Sequence, residues 1–470
     1  MSLVAFASLG AQVGGLIGSR GILPASETLA FLERWHGDAR FVRAPTLFWL
    51  APSDRALEAA CTAGVALSVL LVAGVAPRVV LAALWAAYLS LCTVAGQFLG
   101  YQWDALLVET LFAALFLAPP VWRERLASDP PAPRSGRLLA RLLLFKLMFL
   151  SGSVKLASGD PSWRALTALD YHYWTQPIPA WTSAYAAALP HAVHAASVVV
   201  TFAIELAVPF LLFGPPTLRR AAGLALIAFQ ILLVATGNFA FFNWLTIVLC
   251  VSALDDALLA RLLPRSLRER LSPPRPPPRA TPLRRAVFTC AIALVFGANA
   301  LVVAQRISPA ALPDPAGDAL AAIAPWRTVN GYGLFAVMTT ERPEILVEGT
   351  LDGTTWRAYE FRWKPGSLDR APAFVAPHQP RLDWEMWFAA LGGCRRSPWF
   401  PRFALRLLEG SERVLGLLAS NPFPDAPPRA VRSSVHRYRF AAADLRRRSG
   451  RWWTREEPGA PFCPTLRGTP

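Results

Sequence analysis

The stretch LLARLLLFKLMFLSGSVKLA, residues 138–157, followed after Ser158 by GDPSWRALTALDYHYWTQPIPAWTSAY, residues 159–185, decides how this chain is read. The first part is an apolar helix long enough to cross a hydrocarbon layer of about 30 Å, yet it contains Lys146 and Lys155. An unpaired ammonium at the bilayer centre costs roughly 2.5–3.5 kcal/mol even on a lenient insertion scale, so each lysine needs a partner or a route to water. The second part is dense in rings, prolines and hydrogen-bonding groups, the composition of an interfacial loop. Of the 47 basic residues only Lys146, Lys155 and Lys364 are lysines. Two of them in one membrane helix suggest an amine that can lose its proton.

Working outward, largely apolar windows fall at 3–18, 57–76, 79–98, 103–119, 138–156, 193–213, 218–236, 239–254 and 286–304. They predict an α-helical polytopic membrane protein of about nine transmembrane helices, in keeping with 54% hydrophobic residues and a positive mean hydropathy. Spans two and three should form a hairpin turned at Pro77. From about 306 the composition becomes that of a water-soluble α+β domain with a small antiparallel sheet: EILVEGTL and TTWRAYEFRW alternate around Asp352-Gly353, and LDWEMWFAALG and PWFPRFALRLLEG read as helices. The expected division is 1–305 for the bundle, with an extracytoplasmic loop at 157–190, and 306–470 for the C-terminal domain. Residues 264–285 read as a Pro/Arg-rich linker without a packed core.

Arginines mark the orientation. Arg78, the group Arg123, Arg125, Arg134 and Arg137, the pair Arg219 and Arg220, and the run from Arg261 to Arg285 all follow even-numbered spans. Those loops are expected in the cytoplasm, which puts the 157–190 loop and the C-terminal domain on the opposite side. The formal charge of +16 is then explained by orientation and by attraction to anionic membrane lipid. No nucleic-acid partner is expected, because no basic groove or known motif accompanies the charge. No nucleophile-elbow, phosphate-loop, thiol-redox or metal-ligand spacing occurs, so neither metal nor cofactor is expected and an ordinary hydrolase or oxidoreductase is disfavoured. Cys61, Cys92, Cys250 and Cys290 are expected to pack as small hydrophobes inside spans, and a disulfide between Cys394 and Cys463 is permitted.

The candidate intramembrane polar residues are Gln102, Asp104, Glu109, Lys146 and Glu205. Five residues separate Asp104 from Glu109 and nine separate Lys146 from Lys155, so neither pair shares a face of its helix. One lysine pairing with one of Asp104, Glu109 or Glu205 is the cheapest way to hold charge in lipid. Lys155 admits three readings: an interfacial ammonium that snorkels to water, half of a buried ion pair, or a base. Trp163, Asp170, Tyr171, His172 and Tyr173 either line an extracytoplasmic pocket or anchor the loop at the interface. His378, between two prolines, reads as part of a recognition loop roofing that pocket or as a folding turn, with Arg381 beside it and Asp383 as an N-cap.

The strings GLIGSRGILP (15–24), GYQWDALLVET (100–110), GDPSWRALTALDYHYWTQPIP (159–179), NGYGLFAVMTTERPEILVEGT (330–350), YEFRWKPGSLDRAPAFVAPHQPRLDWEMWFAAL (359–391) and NPFPDAPPRAVR (421–432) carry a resemblance to the lipase maturation factor family. It extends over essentially the whole chain. The resemblance implies a multi-pass membrane protein, resident in the endoplasmic reticulum of eukaryotes, that acts as a chaperone in the folding and assembly of secreted lipases; an exported, lipase-like client is the implied partner. Abundant Arg and Ala resemble the product of a GC-rich bacterial genome, for which the membrane would be the inner membrane. The bundle is also similar, more distantly, to vitamin K-dependent carboxylases, through Lys155-Leu156 followed by Asp160 and Trp163. That second resemblance implies the alternative reading, an intramembrane enzyme with Lys155 as general base and therefore catalytic.

Overall fold

The computed structural model describes residues 1–124, 132–262, 264–268, 281–307 and 313–468. Its helices follow the apolar windows, apart from α6 in the 157–190 loop: α1 Ser2–Gly10, α2 Asp54–Val72, α3 Pro77–Ala95, α4 Gln102–Ala114, α5 Arg134–Ala157, α6 Ala168–Thr175, α7 His191–Phe202, α8 Pro216–Thr236, α9 Phe242–Cys250 and α10 Pro282–Ile307. The α2–α3 hairpin turns where expected, with Ala76 in the left-handed region and Pro77 at the first helical position, where its missing N–H costs nothing.

Among the described residues, five helices are long and apolar enough to cross a membrane: Asp54–Val72, Pro77–Leu99, His191–Phe213, Pro216–Thr236 and Arg285–Ile307. The first expected span breaks into Ser2–Gly10 and Val13–Ile17, α4 has 13 residues, and Phe242–Ala253 is a shorter apolar helix. At 1.5 Å per residue α4 is about 20 Å long, short of the hydrocarbon thickness. Helix α5 has the length, 24 residues, but Arg141, Lys146 and Lys155 lower its hydropathy. Exposed apolar side chains such as Val72, Val199, Leu232 and Leu294 cover the outer faces of the long helices, as expected of a surface in contact with lipid. Cys61, Cys92 and Cys250 are buried, but Cys290 is exposed on α10, contrary to expectation.

Helix α7 does not end cleanly. Pro209 has no N–H for the carbonyl four residues earlier, that of Glu205, and its ring would clash with it. The chain answers with a π turn over Ala203–Ala207 and a 3₁₀ turn over Val208–Phe213.

The C-terminal region folds around the antiparallel strands Pro343–Thr350 and Ala430–Phe440, paired from Pro343↔Arg437 to Thr350↔Ala430. Arg357–Ala358, within the alternating TTWRAYEFRW, adds to one edge and Trp453–Arg455 to the other. The expected tight hairpin is looser: Gly349 pairs with Arg357, and the Asp352 carboxylate organises the intervening loop by accepting from the N–H groups of Thr354 and Thr355. Its second strand also divides, Glu360–Phe361 pairing with Leu418–Ser420 instead. Helices Arg381–Gly392 and Trp399–Leu408 pack beside the sheet, and Cys394 is bonded to Cys463. Of the linker expected at 264–285, Arg265–Arg268 is a helical turn and the last residues open α10, while 269–280 lie outside the described residues.

Candidate functional site

Three buried charge clusters organise the bundle. Lys146 Nζ meets Glu109 Oε1 at 2.5 Å and Asn299 Oδ1 at 2.7 Å, joining α5 to α4 and α10. The second Glu109 oxygen accepts from the Tyr332 hydroxyl at 2.6 Å and from the Asn330 backbone N–H at 2.9 Å. Lys155 Nζ lies 2.9 and 2.7 Å from the two Glu205 oxygens and donates to the Ser151 carbonyl. Lys155 and Glu205 are only 5% and 6% exposed, so Lys155 is half of an ion pair and does not snorkel. The π turn makes this possible. A Cβ on Gly152 would stand 2.8 Å from Leu206 Cδ2 and 3.0 Å from Glu205 Cβ, so only glycine lets the turn approach α5 this closely.

The third cluster joins the two halves of the chain. Both terminal nitrogens of Arg381 reach the Asp104 carboxylate, at 2.9 and 2.8 Å, and the Tyr88 hydroxyl donates to the same carboxylate at 2.6 Å. Both residues of the pair are fully buried. A planar guanidinium fork on a carboxylate supplies geometry as well as charge.

A cavity of about 760 Å³ lies among α5, α7, α8 and α9, closed on one side by α6 and by Leu334 and Phe335. Lys155, Trp163, His172, Tyr173 and Glu205 line it together. His172 stacks on Phe239 and meets Phe335 edge-on. Burial, aided by the nearby Lys155 charge, pushes its imidazole down to about 4, so the ring is neutral at physiological pH. Trp163 donates from its indole to the Phe335 carbonyl at 2.9 Å. Asp160 accepts from the Met338 N–H at 2.6 Å; burial would raise this carboxyl, but its hydrogen bonds outweigh burial and hold it below the usual carboxylate range.

The other candidates lie elsewhere. Asp170 faces α7, where it holds His191 and His194 at 2.9 and 2.7 Å, and Tyr171 packs against Trp174. Gln102 accepts from the Gly333 N–H. His378 does not roof the cavity: Leu334 and Phe335 occupy that place, while His378 bonds to Ser8 Oγ at 2.8 Å beside Trp363. Asp383 is no N-cap; it is the third residue of its helix and accepts from the N–H groups of Trp363 and Lys364.

Sequence reasoning missed Arg342, which is fully buried and donates to the carbonyls of Trp174, Gln176 and Pro177, clamping the outer loop to the sheet. Glu344 neutralises both Arg342 and Lys364, at 2.7 and 3.0 Å. The rarity of lysine was the available signal for Lys364; nothing local singled out Arg342 among so many arginines. Among the described residues no cluster of His, Cys, Asp and Glu could hold a metal ion.

Comparison with known proteins accounts for both halves. The family profile described as lipase maturation factor transmembrane domain matches residues 1–261, and that described as lipase maturation factor C-terminal domain matches residues 328–463. Lipase maturation factor 2 of Homo sapiens is 35% identical, over 97% of this chain and 79% of its own length. Lipase maturation factor 1 of Mus musculus is 34% identical, over 99% of this chain and 84% of its own length. No solved structure matches the chain. Profiles over both regions and identity along almost the whole length place this chain in the lipase maturation factor family.

Proposed function

We propose that this protein is a membrane-embedded maturation factor that helps exported lipases fold and assemble. The observation that carries this reading is similarity to lipase maturation factors over nearly the full chain, bundle and C-terminal region alike. In this reading the bundle, 1–305, holds and orients the C-terminal domain, 306–470, which together with the 157–190 loop forms the client surface. The chain crosses the membrane about nine times, with the shorter apolar helices buried among the longer ones, and the C-terminal domain is extracytoplasmic. Arginine placement supports that orientation, and so does the Cys394–Cys463 disulfide, which persists in oxidising compartments. The membrane is the inner membrane in a bacterial host and the endoplasmic reticulum in eukaryotic relatives.

Nothing favours the alternative of a carboxylase-like base at Lys155, since its ammonium is held by both oxygens of Glu205. The decisive experiment removes the gene and follows activity and aggregation state of exported lipases. Loss of active lipase with unchanged lipase mRNA, restored by the intact chain, is the expected result; an unaltered exported proteome would sink the reading.

A further inference from the structure

The cavity beside Lys155 has an open side. Ala192, Val193, Ala196 and Val200 on α7 and Ala228 and Leu232 on α8 line it and are also exposed at the outer surface of the bundle. One set of residues facing both ways marks a portal between α7 and α8, rimmed by side chains that are small or apolar. Both helices belong to the five long and apolar enough to cross a membrane, so the portal opens towards lipid. The lining positions on α7 and its π turn run from Ala192 to Glu205, about 20 Å of helix at 1.5 Å per residue. The volume of about 760 Å³ falls within the roughly 300–1,000 Å³ typical of small-molecule sites.

The polar groups constrain the occupant. Lys155 and Glu205 neutralise one another, so neither has a free charge to offer. Gln230 and Asn243 hydrogen-bond to each other, and Thr246 bonds to its own helix. His172, 8% exposed, and Tyr173 line the cavity with no side-chain hydrogen-bond partner among the described residues. Neither side chain's polar atoms are sealed off, so both stay within reach of a ligand's hydroxyl or carbonyl inside the cavity. The remaining lining is largely aliphatic and aromatic: Leu147, Phe229, Leu233 and Phe239 among others.

We infer that this cavity binds a single-chain, uncharged amphiphile taken laterally from the bilayer, its hydroxyl or carbonyl head bonded to His172 and Tyr173 and its chain lying between α7 and α8. A carboxylate or phosphate head is a poor fit, because Lys155, the one cation in the lining among the described residues, is already bound to Glu205. The inference is independent of the lipase client, since it concerns binding by the purified chain alone.

The test uses the full chain in phosphatidylcholine vesicles and a monooleoylglycerol with a photoreactive diazirine in its chain. After irradiation, label should fall on α5, α7 and α8 residues that face the cavity, and excess monooleoylglycerol should compete while oleate should not. The double variant Ala196→Trp/Ala228→Trp fills the portal from exposed positions and should lower labelling about tenfold without changing the melting temperature. His172→Phe should weaken monooleoylglycerol about tenfold, the scale of one lost hydrogen bond, while leaving a hydrocarbon-only diazirine probe unaffected. Label spread evenly over exposed apolar faces such as α2, unchanged labelling in the portal variant, or equal competition by oleate would overturn the assignment. Intact lipase maturation with no cavity labelling would overturn it alone and leave the client reading standing.

Discussion

Each buried lysine of α5 owes its tolerance to one carboxylate, and that makes the pairs testable. Removing one partner leaves a charge buried without compensation, which typically costs about 3–5 kcal/mol. Glu205→Gln and Lys155→Met should therefore each lower thermal stability in detergent sharply, whereas Lys155→Met combined with Glu205→Leu should recover most of it. Lys155→Arg preserves the charge and should retain maturation activity; if it abolishes activity at normal membrane levels, a purely structural pair is the wrong account. His172 behaves differently because it is buried neutral. Its folded value, near 4, lies below the ordinary 6.5, so between those pH values the unfolded chain takes up a proton that the folded one refuses. Its contribution to stability is complete above pH 6.5 and is lost as pH falls towards 4, by up to about 3 kcal/mol. His172→Phe should flatten that segment of a melting-temperature profile while changing little at pH 7.5, because the ring already stacks on Phe239.

The element that decides the site is the π turn over Ala203–Ala207. An uninterrupted α-helix would carry Glu205 and everything beyond it round to a different azimuth on α7. Pro209 makes the interruption, and Gly152 on α5 makes room for it. Alanine in place of glycine ordinarily gains about 1 kcal/mol in a helix. At Gly152 the sign should reverse, mildly for Gly152→Ala, where Leu206 can turn aside, and severely for Gly152→Val. Thermal melting of purified protein measures both, and a stabilised Gly152→Val would refute the close approach. Glu205 was legible in the sequence as an intramembrane carboxylate, and a proline inside an apolar window marks a kink. The direction of the kink was not legible, because it depends on which neighbouring helix offers a glycine.

Across the whole molecule, Arg381 with Asp104 and Arg342 with the outer-loop carbonyls fasten the C-terminal region to the bundle. Arg381→Ala strands a carboxylate that is fully buried and should cost about 3–5 kcal/mol, separating one cooperative unfolding transition into two by calorimetry. Arg381→Lys should recover only part, since an ammonium cannot make the two-pronged contact. A maleimide too large to cross the membrane should label Cys394 and Cys463 only after reduction and only from the non-cytoplasmic side; labelling in spheroplasts without reductant would contradict the bond, and labelling of reduced protein only in inverted vesicles would contradict the orientation. Buried charge pairs of this kind should couple the two regions mechanically, as the proposed client surface requires.

The amino-acid sequence by itself determined that this is a helical membrane protein with a C-terminal α+β region, where most helices and the strand Pro343–Thr350 run, and which family it belongs to. Those properties are local or additive: an apolar window inserts by its own hydropathy, an alternating segment forms a strand by its own period, and a long string of matching residues accumulates identity. Which lysine met which carboxylate, that His378 reached Ser8 and left the cavity to Phe335, and that a portal opened between α7 and α8 were decided only in three dimensions. A buried charge takes whichever partner the packing brings within about 3 Å, and one period of a helix, sampled in isolation, does not say which neighbour that will be.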